Sequence, residues 1–128
     1  MTTELTLLVW ASGLTLAQAA LAATGGNLQK GVPVMAGNRE GQGEFTGWVG
    51  RAYRAHRNML ENLVLFAILV LAAQVSGKTN AQTALGAELF FWARVAYVPC
   101  YVLGLVGVRT LAWGVSAAGL GLIFFQLV

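Results

Sequence analysis

Four long apolar segments decide what this chain can fold into. They cover approximately residues 5–24, 48–75, 81–107 and 110–128. A helix needs about 20 mostly apolar residues to cross the hydrocarbon core of a bilayer, and each segment is close to or beyond that length. The sequence therefore predicts an all-α membrane protein: a single domain over residues 1–128, built as an antiparallel bundle of four transmembrane helices.

The composition argues against most other classes. The chain is 57% hydrophobic and only 10% charged, whereas roughly one quarter of a soluble domain is charged. The net charge of +3 is modest and the basic residues form no continuous patch, so we predict no nucleic-acid partner. One histidine, one cysteine and no aspartate leave no usual set of metal ligands, so we predict no metal. The lone Cys100 excludes an intramolecular disulfide.

The connecting segments and their charges predict the topology. Residues 25–47 are rich in glycine and predict a long irregular loop. No Lys or Arg precedes the first apolar segment, which differs from an export signal and predicts a retained helix. Basic residues concentrate in the first loop, at the start of the second helix and at Arg109, whereas the second connector contains only Lys78. The arginine-rich loops are therefore predicted to be cytoplasmic, with both termini outside.

Polar side chains share faces on three of the predicted helices. At about 100° per residue, one sector of the second helix contains Arg51, Arg54, Asn58, Glu61 and Asn62. His56 falls nearly opposite. The third helix has a polar stripe at spacings of three and four, formed by Arg94, Tyr97 and Tyr101. Arg109 begins the fourth helix.

Structural interpretations of this polar set stay open. Arginines at a membrane edge commonly anchor a helix at the lipid headgroups, and Glu61 could pair with an arginine to hold helices together. Neither interpretation uses the whole positive charge, because the arginines outnumber Glu61 and Glu88. Guanidinium groups beside tyrosine hydroxyls favour a bound carboxylate or thiolate. We therefore predict a site for an anionic ligand.

Three ordered motifs resemble the MAPEG family, the membrane-associated proteins in eicosanoid and glutathione metabolism. The motifs are RAHRNMLEN in the second helix, ARVAYVPCY in the third, and the Arg109–Thr110 pair that opens the fourth. The resemblance covers essentially the whole chain. The composition of the first loop indicates a divergent bacterial branch similar to microsomal glutathione transferase. The resemblance implies a multi-pass protein of the bacterial inner membrane, assembled as a homotrimer among membrane lipids.

The resemblance also implies a ligand and an activity. Glutathione, as co-substrate, would bind between subunits near the cytoplasmic face. The positions that match the family's glutathione contacts are Arg51, Arg54, His56, Asn58, Glu61, Arg94, Tyr97 and Tyr101. Arg109 matches the arginine that stabilises the thiolate and is the predicted catalytic residue. The implied function is a glutathione S-transferase or peroxidase that acts on lipophilic electrophiles or hydroperoxides, and the alternative is a non-catalytic lipid-binding or scaffold member.

A third hypothesis comes from chain length. Small multidrug exporters also have four helices, but they rely on a carboxylate deep in the first helix. In this chain Glu4 lies at the edge of that helix, and the rest of the segment is uncharged. The sequence therefore disfavours an exporter.

Overall fold

The computed structural model describes residues 1–128, and all of its regular structure is helical. The helices are α1 (Thr3–Lys30), α2 (Val32–Ala36), α3 (Gly47–Ser76), α4 (Ala81–Val102) and α5 (Val106–Leu127). The predicted all-α class is confirmed.

Three of the four long helices are long and apolar enough to cross a membrane, namely α1, α3 and α5. Helix α4 falls short of that composition because Glu88 and Arg94 interrupt it, and because Tyr97, Pro99 and Tyr101 dilute its apolar residues. The structure therefore supports three of the predicted spans by length and composition.

The first connector is shorter than the sequence predicts. Helix α1 continues through Gly25 and Gly26 to Lys30, and α2 follows at residues 32–36. The prediction of an irregular loop over residues 25–47 is wrong for these stretches, and only Gly31 and residues 37–46 lie between helices.

Close packing explains why two glycines stay helical in α1. A Cβ atom at Gly25 would lie 2.9 Å from the Trp48 ring, and one at Gly26 would lie 2.8 Å from the Tyr53 hydroxyl. The missing side chains let α1 approach the start of α3. This packing offsets the unfavourable helix propensity of glycine, which is about 1 kcal/mol per residue relative to alanine.

The last connector also lies elsewhere than predicted. Helix α4 ends at Val102 rather than at residue 107, and α5 begins at Val106 rather than at residue 110. The turn between them depends on Gly104, whose φ of 77° is in the left-handed region that glycine tolerates. Arg109 consequently lies inside the first turn of α5.

Helices α4 and α5 form the most extensive helix pair in the chain. A Cβ atom at Gly86 would lie 2.7 Å from the Gly119 carbonyl oxygen, and one at Gly119 would lie 2.5 Å from the Gly86 carbonyl oxygen. The two backbones therefore touch, as small residues permit between membrane helices. The buried core lies beside this contact and includes stacked Phe66 and Phe90 rings, with centroids 4.2 Å apart.

Candidate active site

Helices α3, α4 and α5 enclose a polar cleft of about 260 Å³ near the end of the bundle where α4 turns into α5. We call it the arginine–tyrosine cleft. It is lined by Asn58, Tyr97, Tyr101, Arg109, Thr110 and Trp113. Four of the nine residues that the sequence predicted for the site thus meet in one cavity.

Aromatic rings position the cationic group of this cleft. The Arg109 guanidinium carbon lies 4.3 Å from the centroid of the Tyr101 ring, within the range of a cation–π interaction. The Tyr97 and Tyr101 rings are 5.4 Å apart and tilted by 50°. The Arg109 guanidinium makes no hydrogen bond within the chain, so its N–H donors are available for an anionic ligand.

Arg94 lies beneath this cleft rather than on its wall. Its side chain is 1% exposed, and its three guanidinium nitrogens have no hydrogen-bond partner. The guanidinium carbon lies 4.2 Å from the centroid of the Tyr97 ring. Arg94 therefore supports a tyrosine of the cleft from behind.

Arg51 links α3 to the turn that follows α4. Its Nε donates a hydrogen bond to the Val102 carbonyl oxygen, at 2.8 Å, and its side chain passes close to Gly104. Since Val102 is the last residue of α4, this bond satisfies a carbonyl that has no partner inside the helix. Arg51 holds the connector on which the position of Arg109 depends.

Arg54 lies in a second cavity of about 330 Å³, formed where the first connector folds over the start of α3. We call it the basic pocket. Its lining residues include three arginines and one glutamate, and they are Arg39, Glu44, Phe45, Gly50, Tyr53, Arg54 and Arg57. The Phe45 ring stacks on the Tyr53 ring at 4.3 Å with an interplanar angle of 3°, and this stack docks the connector.

The remaining predicted residues line neither cavity. Glu61 is exposed and His56 is half-buried. Asn58 itself is oriented by its neighbour, because Asn62 Nδ2 donates to the Asn58 carbonyl oxygen at 2.8 Å and lies 3.3 Å from Asn58 Oδ1. The polar face of α3 therefore turns from the cleft at Asn58 to the outer surface of the chain at Glu61.

The family model of the MAPEG family matches residues 5–128. The chain belongs to the MAPEG family. Together with the three long apolar helices, this match identifies an integral membrane protein. No curated protein and no solved structure matches the chain.

Two residues line the cleft of this MAPEG protein without having been predicted for it. Trp113 lies one turn after Arg109 on the same face of α5, so helical spacing alone could have identified it. Thr110 was noted only as the neighbour of Arg109. Its hydroxyl donates to the Val106 carbonyl oxygen at 2.9 Å, which leaves the oxygen lone pairs to accept a hydrogen bond.

No pattern in the sequence predicted the aromatic pair of the basic pocket, Phe45 and Tyr53. Phe45 belongs to an irregular connector, and its contact with Tyr53 depends on how that connector folds back. No group of three His, Cys, Asp or Glu side chains in the chain is placed to hold a metal ion.

Proposed function

We propose that this protein is a membrane glutathione-dependent transferase or peroxidase that activates the glutathione thiolate for attack on lipophilic electrophiles or hydroperoxides. The observation that carries the proposal is the convergence of Asn58, Tyr97, Tyr101 and Arg109 on one cleft. The resemblance of the sequence motifs to glutathione-binding positions of the family supplies the ligand.

The charges of the two cavities, together with Glu61 on the outer surface of α3, suit a tripeptide with two carboxylates and one amino group. Guanidinium groups bind carboxylates through paired hydrogen bonds, and Arg54 in the basic pocket is available for such a contact. Glu61 is the carboxylate that would bind the amino group. Asn58 and the tyrosines supply uncharged hydrogen-bonding groups between them.

Arg109 has the chemical role in this proposal. A free thiol has a pKa near 8.5, and a guanidinium group within about 4–6 Å lowers the pKa by favouring the thiolate. The thiol proton leaves to solvent, and the sulfur then forms a bond to the electrophilic carbon while a halide departs. With a hydroperoxide, the sulfur attacks the O–O bond and releases an alcohol, and a second glutathione completes the reduction by forming glutathione disulfide and water.

The proposed assembly is a homotrimer of four-helix membrane subunits. Arg54 and Glu61 are exposed on the isolated chain although they belong to a helix that can span a membrane. Charged groups inside a bilayer need partners within the protein, and a neighbouring subunit could cover this face. Helix α4 would cross the membrane alongside α5, since their backbones touch. We place the arginine-rich end in the cytoplasm of a bacterium and both termini outside.

A substitution of Arg109 tests the proposal. Detergent-purified protein should conjugate glutathione to a chloronitrobenzene, or reduce an organic hydroperoxide with glutathione. Arg109→Ala should lower the rate by about 100-fold or more, the scale of removing one charge that stabilises the reacting group. Lys78→Ala is the matched control, because it removes one positive charge at the opposite end of α3, where Lys78 contacts the Leu127 carbonyl oxygen.

Different outcomes separate the candidate functions. An equal rate for Arg109→Ala and Lys78→Ala would refute the role of Arg109. Glutathione binding by calorimetry, without turnover of any electrophile or hydroperoxide, would refute the enzyme. Bound lipid together with no binding of glutathione would support the non-catalytic lipid-binding alternative.

A further inference from the structure

Glu88 is a carboxylate about two turns into α4 that the proposed function does not use. It lies nine residues from Tyr97, which places it on the opposite side of the helix from the arginine–tyrosine cleft. The Glu88 carboxylate accepts one hydrogen bond, which Trp92 Nε1 donates at 2.7 Å. A carboxylate oxygen can accept more than one bond, so this group retains capacity for another donor.

A cavity of about 380 Å³ opens between Glu88 and α1. We call it the aromatic pocket. Residues spaced three and four apart on α1 line it, including Thr3, Thr6 and Trp10, and Trp92 lines it from α4. The Trp10 and Trp92 rings meet edge to face with centroids 6.5 Å apart. Both rings are about half exposed, at 51% and 53%.

Another cavity, of about 420 Å³, is also lined by Glu88 and Trp92. We call it the apolar groove. Apart from Glu88 its lining is hydrophobic, and it includes Ala96 of α4 and Val108 and Val115 of α5. Gly86 of α4 contacts Gly119 of α5, and this contact sets the register of the two antiparallel helices. In that register the groove extends from Glu88 toward the α4–α5 turn over eight residues of α4, or about 12 Å.

Glu88 and Trp92 therefore lie where a polar, aromatic pocket continues into a hydrocarbon-lined groove. Glu88 is the only ionisable side chain that lines either cavity, and the one other ionisable group at the aromatic pocket is the α-amino group of Met1. A carboxylate in a membrane helix is costly unless a positive group or several donors accompany it. Tryptophan faces attract organic cations, and the two threonine hydroxyls add acceptors for N–H groups.

We propose that this site binds the ammonium group of a cationic amphiphile in the aromatic pocket, with the hydrocarbon chain of the ligand in the apolar groove. The ammonium contacts Glu88 and the faces of Trp10 and Trp92. One carboxylate is too few for a metal ion, and the negative charge repels anionic amphiphiles. The ligand class comprises lipids with an amine headgroup and free lipophilic amines, which share this chemistry.

Tryptophan fluorescence tests the proposal directly. The protein is placed in phosphatidylcholine nanodiscs after Trp48 and Trp113 are replaced by phenylalanine, so that emission comes from Trp10 and Trp92. A bromine-labelled dodecylammonium should quench this emission saturably. Glu88→Gln, which keeps the size and the acceptor for Trp92, should weaken binding by about tenfold or more, as expected for loss of a charge-assisted hydrogen bond.

Two controls define specificity. Glu44→Gln, which removes a carboxylate from the basic pocket, should leave dodecylammonium binding unchanged. A bromine-labelled dodecanol has the same chain without the charge, and it should bind more weakly and show no difference between wild type and Glu88→Gln. Equal binding of the ammonium and the alcohol, or no effect of Glu88→Gln on the ammonium, would overturn the proposal.

A second arm identifies the source of the ligand. Nanodiscs doped with bromine-labelled phosphatidylethanolamine, phosphatidylcholine or phosphatidylglycerol present the same chains with different headgroups. Selective quenching by phosphatidylethanolamine supports a lipid ligand, whereas quenching by dodecylammonium alone supports a free amine. If neither quenches, the proposal is wrong, and cross-linking of two copies of the chain through Trp10→Cys would then show that the pocket is a subunit contact. The glutathione-dependent rate of Glu88→Gln should equal that of wild type, so this proposal and the proposed function can fail separately.

Discussion

The contact between Gly86 and Gly119 leads to a quantitative prediction for Gly119→Ala. The new Cβ atom would lie 2.5 Å from the Gly86 carbonyl oxygen and 2.8 Å from the Phe90 nitrogen. Both atoms belong to the α4 backbone, so no side-chain rotation can relieve the contact. Since ordinary contact begins near 3.4 Å, α4 and α5 must separate by about 1 Å, which a close-packed interior does not readily allow.

Two opposing effects set the magnitude. Overpacking destabilises by about 1–3 kcal/mol, and two backbone clashes favour the upper half of that range. Alanine regains about 1 kcal/mol through its better helix propensity. We therefore expect Gly119→Ala to lower the free energy of unfolding by about 1–2 kcal/mol.

Gly121→Ala is the matched control on the same helix. A Cβ atom there meets nothing within 4 Å, so the variant should keep only the gain in propensity. Titration of the detergent-solubilised protein with dodecyl sulfate, followed by circular dichroism, would compare the two free energies of unfolding. The reasoning is refuted if Gly119→Ala is as stable as Gly121→Ala.

Two further substitutions test the contacts that hold the connectors. Arg51→Ala removes the 2.8 Å hydrogen bond to the Val102 carbonyl oxygen and should destabilise by about 1.5–3 kcal/mol, the range for a charged donor, with faster hydrogen exchange in residues 103–105. Phe45→Leu removes the stack on Tyr53, which is worth about 0.5–1.5 kcal/mol, and should speed proteolysis of residues 37–46 while leaving the secondary structure unchanged.

The sequence predicted the long helices well, because each of them follows an apolar segment. The positions of the helix ends depend instead on tertiary contacts, which an apolar segment does not indicate. Gly25 and Gly26 suggested a loop by composition, and their packing against Trp48 and Tyr53 keeps them helical. Arg109 suggested the edge of a helix because it is charged. Its cation–π contact with Tyr101 instead accommodates it inside the first turn of α5.

The candidate site was likewise predicted in part from the sequence. Helical spacing brought Tyr97 and Tyr101 to one face, and the structure places both in the cleft with Asn58. A helical wheel gives the direction of a side chain but does not say which neighbouring helix covers it. For that reason Arg94, on the same predicted stripe, could not be distinguished as buried beneath Tyr97.

The geometry of the cleft depends on restraints at both ends of the α4–α5 pair. At one end, the turn of residues 103–105 joins Tyr101 to Arg109, and Arg51 binds the last carbonyl of α4. About 15 Å away along α5, at ten residues from Arg109, the contact of Gly119 with Gly86 prevents the helices from sliding. A guanidinium held over a tyrosine ring by two such restraints loses little further freedom when a ligand binds. For the proposed thiol chemistry, such preorganisation would favour both affinity and reaction.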